Sequence, residues 1–300
     1  MGVIAATAIG VSFVADAVFA ELPSRVHPVA AFGRLIARFD RRWVRPRVAG
    51  VAVAVVLPVC AALAVGGATA IVAGVRPVFG GLLAAFALFS TTSLRMLVSV
   101  ATTVLDATDT DPDRARESVR ALVGRDTTAL SPGELRSAAV ESAAENLSDG
   151  LVAPLFGFVL GSQLSLPVGV ALAVWVKAVN TLDSMLGYRS HPMGWASARL
   201  DDAVMWVPAR LSALLIAFAG GSPAALARAR AWHDEPPSPN AGWPMATLAA
   251  VLDVELRKNG VYVLNPGAGL PTIGEARRGT RIVGIAGVVA FVLAGVAAWF

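Results

Sequence analysis

A chain of 300 residues with 56% hydrophobic and only 15% charged side chains cannot cover a soluble surface, on which roughly 25% of residues would be charged. The mean hydropathy of +0.65 points to the bilayer as its solvent. The net charge of +4 comes almost wholly from arginine, because Lys177 and Lys258 are the only lysines. These arginines are scattered beside acids with no nucleic-acid motif among them, so the excess reads as cytoplasmic loop charge, not as a nucleic-acid surface.

A spanning helix needs about 20 mainly apolar residues. Val3 to Ala20 is the first such run. It lacks a basic leader and carries Asp16, and reads as a retained span or signal-anchor. A polar loop, Glu21 to Arg47, follows with Arg25, Arg34, Arg38, Arg41, Arg42, Arg45 and Arg47. Val48 to Gly74 and Pro77 to Val100 are the next two spans, parted by a turn at Arg76. Cys60 stands alone inside the first of them, which excludes a disulfide framework or thiolate cluster and suggests a small buried apolar residue. Thr102 to Gly150 mixes acids with arginine and is expected to be partly helical.

Leu151 to Val176 is apolar but broken by Gly161, the Ser162–Gln163 pair and Pro167. It is expected to dip in and return as a broken pair, an arrangement tolerable only where protein or water covers the backbone. Val204 to Gly220 contains Pro208 and Arg210, unusual for a lipid-facing span. Arg228 to Arg281, with Pro236, Pro237, Pro239 and Pro266, reads as a long, partly irregular loop, and Ile282 to Phe300 carries no charge at all. The expected fold class is all-α: a polytopic integral membrane protein of the cytoplasmic membrane, a single domain over 1–300. About four to six membrane-embedded helical segments are expected, with polar helical loops forming a cytoplasmic-face site. The N-terminus would lie outside, and the loops around Arg34, Arg116, Tyr188 and Trp243 would share the cytoplasmic face.

The densest acidic segment runs Glu141, Glu145, Asn146, Ser148, Asp149. Four-residue spacing in a helix stacks Glu141, Glu145 and Asp149 on one face, where oxygen ligands suit Mg²⁺. The competing reading is a solvated acidic face with Asn146 and Ser148 as caps. Lys177, Asn180, Thr181 and Ser184 share a helix face with Asp183 beside it. Lys177 there either snorkels to the interface or contacts phosphate. Arg199, Asp202 and Arg210 share another face; Asp201 with Asp202 suits a second metal and Arg210 a phosphate, unless they form a structural ion pair. The three histidines, His27, His191 and His233, show no metal-ligand spacing. No phosphate loop, nucleophile elbow or dinucleotide fingerprint occurs either.

The strings HPVAAFGRLI from His27, LVGRDTTAL from Leu122, ESAAENLSDGLVAPLF from Glu141, KAVNTLDSMLGYRS from Lys177, WASARLDDAVMWVPARL from Trp195 and SPNAGWPMATLAAVLDVEL from Ser238 resemble the adenosylcobinamide-phosphate synthase family, also called CobD or CbiB. They stand in that family's order over roughly residues 10 to 265. The resemblance implies a polytopic membrane ligase of adenosylcobalamin biosynthesis. Such a ligase joins (R)-1-aminopropan-2-ol phosphate, or a related amino-alcohol, to the free carboxylate of adenosylcobyric acid, and the reaction class implies ATP and Mg²⁺.

On that reading Lys177, Asp183, Arg199 and His27 are candidate catalytic residues. Asn146, Ser148, Asn180, Ser184, Arg210 and Asn240 are candidates for substrate or phosphate contact, and Glu141, Glu145, Asp149, Asp201 and Asp202 for metal. The choice of Asp183 or His27 as acceptor of the ammonium proton stays open. Expected partners are the corrinoid, the amino-alcohol phosphate and the lipid bilayer, with self-association or contact with other corrinoid-pathway membrane enzymes left open. The family also looks distantly related to regulatory membrane proteins of the AmpE type, so fold alone does not settle activity. A transporter is a third reading, favoured by the broken helix but lacking two matching halves.

Overall fold

The computed structural model describes residues 2–123, 127–187 and 192–300. Tyr188, named above for its topology, and His191 lie outside the described residues, as does the centre of the LVGRDTTAL string. In chain order the helices are α1 (Gly2–Phe19), α2 (Pro28–Ile36), α3 (Pro46–Val75), α4 (Pro77–Thr91), α5 (Leu94–Ala107), α6 (Pro112–Val123) and α7 (Pro132–Leu147). A π-helical turn (Ser148–Val152) leads to α8 (Ala153–Ser162), α9 (Leu166–Leu186), α10 (Trp195–Val204), α11 (Trp206–Ala219), α12 (Ala224–Ala229) and α13 (Gly242–Leu252). A short antiparallel hairpin, β1 (Leu256–Lys258) and β2 (Tyr262–Leu264), precedes α14 (Ile273–Trp299).

Five helical stretches are long and apolar enough to cross a membrane: Gly2–Phe19, Pro46–Val75, Pro77–Ala107, Leu166–Leu186 and Ile273–Trp299. The pair α10 and α11, bent by 49°, makes a sixth if it counts as one span. The chain is thus a multi-pass, all-α membrane protein. Its unpaired apolar surface agrees with that. Along α3, Val51, Val55, Val56, Val59 and Leu63 are exposed. Cys60 lies on this exposed face, which corrects the expectation of burial. A residue facing lipid can be apolar without being covered by protein.

The chain forms two compact units, each made of non-contiguous segments. The first comprises Met1–Ser93, Asp149–Met205 and Ala290–Phe300. Within it α9 packs against α3, α4, α8 and α10, and α1 against α4. The break expected in Leu151 to Val176 falls at residues 163–165, where Ser165 caps α9 by accepting from Val168 N at 3.4 Å. Glycine lets α8 and α9 close on each other: a Cβ on Gly161 would meet Val168 O at 2.5 Å. A second core gathers Ile36, Val53, Ala54, Leu182, Leu186 and Met193.

The second unit comprises Leu94–Ser148 and Trp206–Val289. Its α7 packs on α5, α6, α13 and β1. A capping box starts α7: Ser131 N donates to Glu134 Oε2 at 2.8 Å, and Ser131 Oγ accepts from Glu134 N at 3.4 Å. Thr272 and Glu275 repeat the device at the start of α14. The loop expected over Arg228 to Arg281 instead contains α13, whose residues Gly242 and Pro244 to Leu252 are all buried, and the hairpin. Dense prolines just before Gly242 disguised an apolar run that folds as a short core helix once α7, α11 and α12 cover it.

Candidate active site

In the first unit the polar groups gather on α9, α10 and the π turn. Such turns insert one extra residue into a helix and recur at functional sites. Here the turn is tied down by Ser93 N, which donates to Gly150 O at 3.0 Å. The π turn also breaks the α-helical register just where Asp149 stands. Asp149 Oδ2 accepts from Asn180 Nδ2 at 3.4 Å. Asn180 is buried and also hydrogen-bonds Asp201, so one amide holds two carboxylates. Asp201 Oδ1 is buried with no hydrogen-bond partner among the described residues. The charges of Asp149, Asp183 and Asp202 act on Asp201, and those of Asp149, Glu21 and Asp201 act on Lys177.

One ammonium therefore faces more than one carboxylate in a poorly hydrated place. Such an excess of half-buried negative charge favours a cation or protons nearby. Among the described residues no three His, Cys, Asp or Glu side chains stand at metal-holding distance of one another. The cluster thus offers fewer than three ligands of its own, all hard oxygens. That fits Mg²⁺, which is usually held by one or two carboxylates with waters and substrate phosphates completing the shell.

The other face of Lys177 borders an apolar cavity of about 370 Å³ between Phe32, Ala64, Phe86 and Val174. Thr181, on the same wall, donates to Lys177 O at 2.7 Å, and Ser184 donates to Asn180 O at 2.9 Å. Both hydroxyls are thus turned onto their own helix, away from the expected polar face. Arg199 is exposed and sits 3.6 Å from Asp202, the ion pair anticipated as the alternative to function.

His27 is held as a structural cap. Its Nδ1 accepts from Val29 N at 3.1 Å at the start of α2, and its Nε2 lies 3.4 Å from Glu21 Oε1. Accepting at Nδ1 requires the neutral ring with its proton on Nε2. Burial lowers the pKa of His27 and Lys177 adds to this, while Glu21 opposes. Glu21 was not picked out from the sequence. Its position just after α1 and close before His27-Pro28 was the available signal.

The second unit holds the remaining candidates. Glu141 is buried; Ser137 Oγ donates to Oε1 at 2.6 Å and Tyr262 OH donates to Oε2 at 2.5 Å. Both carboxylate oxygens are thus engaged by hydroxyls. Ser137 Oγ in turn accepts from Arg257 N at 2.8 Å, so this network fastens β1 to α7. No spacing rule reveals the pairing of Glu141 with Tyr262, since only the turn at Gly260 brings them together. Burial raises the pKa of Glu145, with Lys258 opposing. Glu134 is held down to about 2, first by a hydrogen bond from Asn259, then by those from Ser131.

Asn146 Nδ2 donates back to Ser142 O at 2.9 Å, while Ser148 Oγ is buried with no hydrogen-bond partner among the described residues. Arg210 donates from Nη1 to Trp206 O and to Asn240 Oδ1, both at 2.8 Å. Its guanidinium lies 4.4 Å from the Trp206 ring centroid and 5.3 Å from that of Trp243. Arg210 and Asn240, named separately from the sequence, thus form one pair braced by two indoles.

Fold and site together define a multi-pass helical membrane protein with a half-buried carboxylate cluster beside one lysine. A sequence model of the family described as CobD/Cbib protein matches residues 9–292, and the chain belongs to that family. A relative from Methanothrix thermoacetophila, named probable cobalamin biosynthesis protein CobD, is 35% identical over 292 residues, covering 93% of this chain and 92% of its own length. The Geobacter metallireducens cobalamin biosynthesis protein CobD is 39% identical over 274 residues, 87% of this chain and 83% of its own. The Salmonella typhi cobalamin biosynthesis protein CbiB is 34% identical over 290 residues, 91% of this chain and 88% of its own. No solved structure matches the chain.

Proposed function

We propose that this protein acts in cobalamin biosynthesis as an ATP-dependent amide ligase, joining (R)-1-aminopropan-2-ol phosphate or a related amino-alcohol to the free carboxylate of adenosylcobyric acid. The observation that carries the reading is the group of half-buried Lys177, Asp149 and Asp201 around the buried Asn180 in a chain of this family. A carboxylate does not react with an amine until it is activated. Its oxygen attacks the γ-phosphorus of ATP, ADP leaves, and an acyl phosphate results. The amine nitrogen then attacks the acyl carbon, phosphate leaves, and the nitrogen gives up a proton.

Both steps move negative charge onto phosphoryl oxygens, so catalysis is mainly positioning and charge neutralisation. Lys177 supplies a compact cation from a rigid helix. Asn180 fixes Asp149 and Asp201 in place. Mg²⁺, held by Asp149 and Asp201 with Asp183 close by, would neutralise the phosphates of ATP. Asp183 is the better acceptor for the ammonium proton, because the basic nitrogen of His27 is committed to Val29 N. The site faces the cytoplasm on this reading, on the side of the arginine-rich loop, where ATP is found.

The test is direct. Purified protein in detergent, given adenosylcobyric acid, the amino-alcohol phosphate, ATP and Mg²⁺, should form adenosylcobinamide phosphate with one ADP per amide, followed by mass spectrometry. Corrinoid binding without ATP consumption would replace the ligase by a regulatory role of the AmpE type. In a Cys60→Ser background, a cysteine at Arg34 should react with impermeant thiol reagent only from the cytoplasmic side.

A further inference from the structure

Residues 38–47 contain five arginines, Arg38, Arg41, Arg42, Arg45 and Arg47, against one acid, Asp40. All five arginines are exposed. Among the described residues none of them forms an ion pair. A run of unpaired like charges would ordinarily be a loose loop. This one is fastened: Phe39 and Trp43 pack on the core around Ile36, Leu186 and Met193, and Trp43 Nε1 donates to Phe39 O at 3.0 Å. Arg41 lies 4.3 Å from the Trp43 ring centroid, which holds its guanidinium over the indole.

The segment runs straight into α3, a spanning stretch that begins at Pro46. Here a second element joins. Gly50 lets α3 touch the backbone of Met193, because a Cβ there would meet Met193 O at 2.1 Å. That contact brings Trp195, at the start of α10, beside the first turn of α3. Arg47, Val48, Val51, Ala52 and Trp195 then line a groove of about 540 Å³. The groove has a cation at its rim, an indole on one wall and an apolar floor that continues down the exposed, lipid-type face of α3. Trp195 is 45% exposed and Val48 64% exposed, so no described residue fills it.

We infer that residues 38–47, the first turns of α3 and Trp195 form a binding site for one anionic phospholipid. Its phosphate would sit among Arg45 and Arg47, and one acyl chain would lie along Val48, Val51 and Ala52. Fixed arginines at the membrane edge select negative headgroups, and a tryptophan beside an apolar floor suits the boundary between headgroup and acyl chain. The protein's own corrinoid chemistry does not require this site.

The test is native mass spectrometry of the purified protein in detergent, with phosphatidylglycerol or phosphatidylcholine added at equal concentration. Wild-type protein should retain one phosphatidylglycerol and little phosphatidylcholine. The double variant Arg45→Gln/Arg47→Gln should lose retention about tenfold or more, from two cations at the surface. Val51→Trp, which fills the groove and leaves every charge, should lose it comparably, while Arg25→Gln, outside the segment, should not. Equal retention of the two lipids, or full retention in both the double variant and Val51→Trp, overturns the site. Displacement of phosphatidylglycerol by ATP or inorganic phosphate at low millimolar concentration also overturns it, and makes the arginines a soluble-anion site.

Discussion

Two acidic groups, the buried one around Glu141 and the half-buried one around Asp201, make an instructive contrast. Around Glu141 every carboxylate oxygen meets a hydroxyl, and the network ends on a backbone amide of the adjoining strand. Around Asp201 one amide is shared between two carboxylates, an oxygen has no hydrogen-bond partner among the described residues, and several negative charges face one lysine. The first arrangement is complete and holds the hairpin on α7. The second is incomplete among the described residues, as the proposed site for a cation and phosphates requires. A carboxyl group is thus closed off by hydroxyls in one unit and left partly unsatisfied by the described residues in the other. What distinguishes them is whether the protein itself satisfies the charge.

The largest expected effect separates the two directly. Asp149→Asn and Asp201→Asn should each cut turnover by about a hundredfold or more, a loss of the size seen when a preorganised charged contact is removed. The unfolding temperature of both variants should hold or rise, because each change relieves buried like-charge repulsion. A fall of many degrees would make Asp201 a structural acid after all. Glu145→Gln sharpens the same contrast. Its carboxyl is already pushed toward the neutral form by burial, so the amide should keep turnover within a few-fold. A loss as large as that of Asp149→Asn would return Glu145 to the reacting groups.

Lys177 comes next. An interfacial anchor needs only a long cationic stem, which arginine supplies, whereas a compact point charge on phosphate is not reproduced by a flat guanidinium. Lys177→Arg should therefore keep expression and insertion but lose at least about tenfold in turnover, and Lys177→Met considerably more. Wild-type turnover in Lys177→Arg would make the lysine an anchor. In the other unit, Tyr262→Phe removes one hydroxyl from Glu141. The cost is that of leaving a buried acceptor without its hydrogen bond, about 1–3 kcal/mol. It should appear as a drop of several degrees in unfolding temperature, with turnover changed by less than about threefold. A Tyr262→Phe protein that keeps its stability and loses its activity would place Glu141 among the reacting groups.

The smallest effect concerns His27. Its folded pKa lies below the ordinary 6.5, chiefly through burial. The unfolded chain therefore binds the proton more readily, so stability is fully present above about pH 6.5 and is lost as pH falls towards the folded value. Protonation also removes the acceptor that caps Val29 N. Between about pH 7.5 and about pH 5.5 the wild-type unfolding temperature should fall by about 2 °C more than that of His27→Asn, whose side-chain oxygen caps at any of these pH values. Identical slopes for the two proteins would mean that His27 does not titrate in this range.

Much of the framework was legible in the chain itself. Apolar runs of spanning length depend only on composition along a local stretch; α1 and α3 stand where those runs predict, the Pro77 run divides between α4 and α5, and α14 begins nine residues ahead of its run, at Ile273. The break in the α8–α9 pair was visible for the same reason, as glycine and proline act on their own backbone. The SPGE and TIGE capping boxes are equally local. Membership of the family was legible too, because long strings such as ESAAENLSDGLVAPLF stand in a set order. What the sequence could not supply was which polar groups complete one another. Glu141 and Tyr262 are far apart in the chain, and Asn180 reaches Asp149 only across the α8–α9 turn. The four-residue spacing of Glu141, Glu145 and Asp149 suggested one stacked face. The π turn breaks that register, and Glu141 is drawn to the hairpin instead.

The two units are each assembled from separated segments, so no boundary is written along the chain. The sequence determined which stretches are helical and apolar, because backbone propensity and transfer to lipid are properties of neighbouring residues. Only the tertiary structure decided which carboxyl groups meet hydroxyls and which gather around one amide and one lysine. Satisfaction is a matter of distance between residues that the chain keeps far apart.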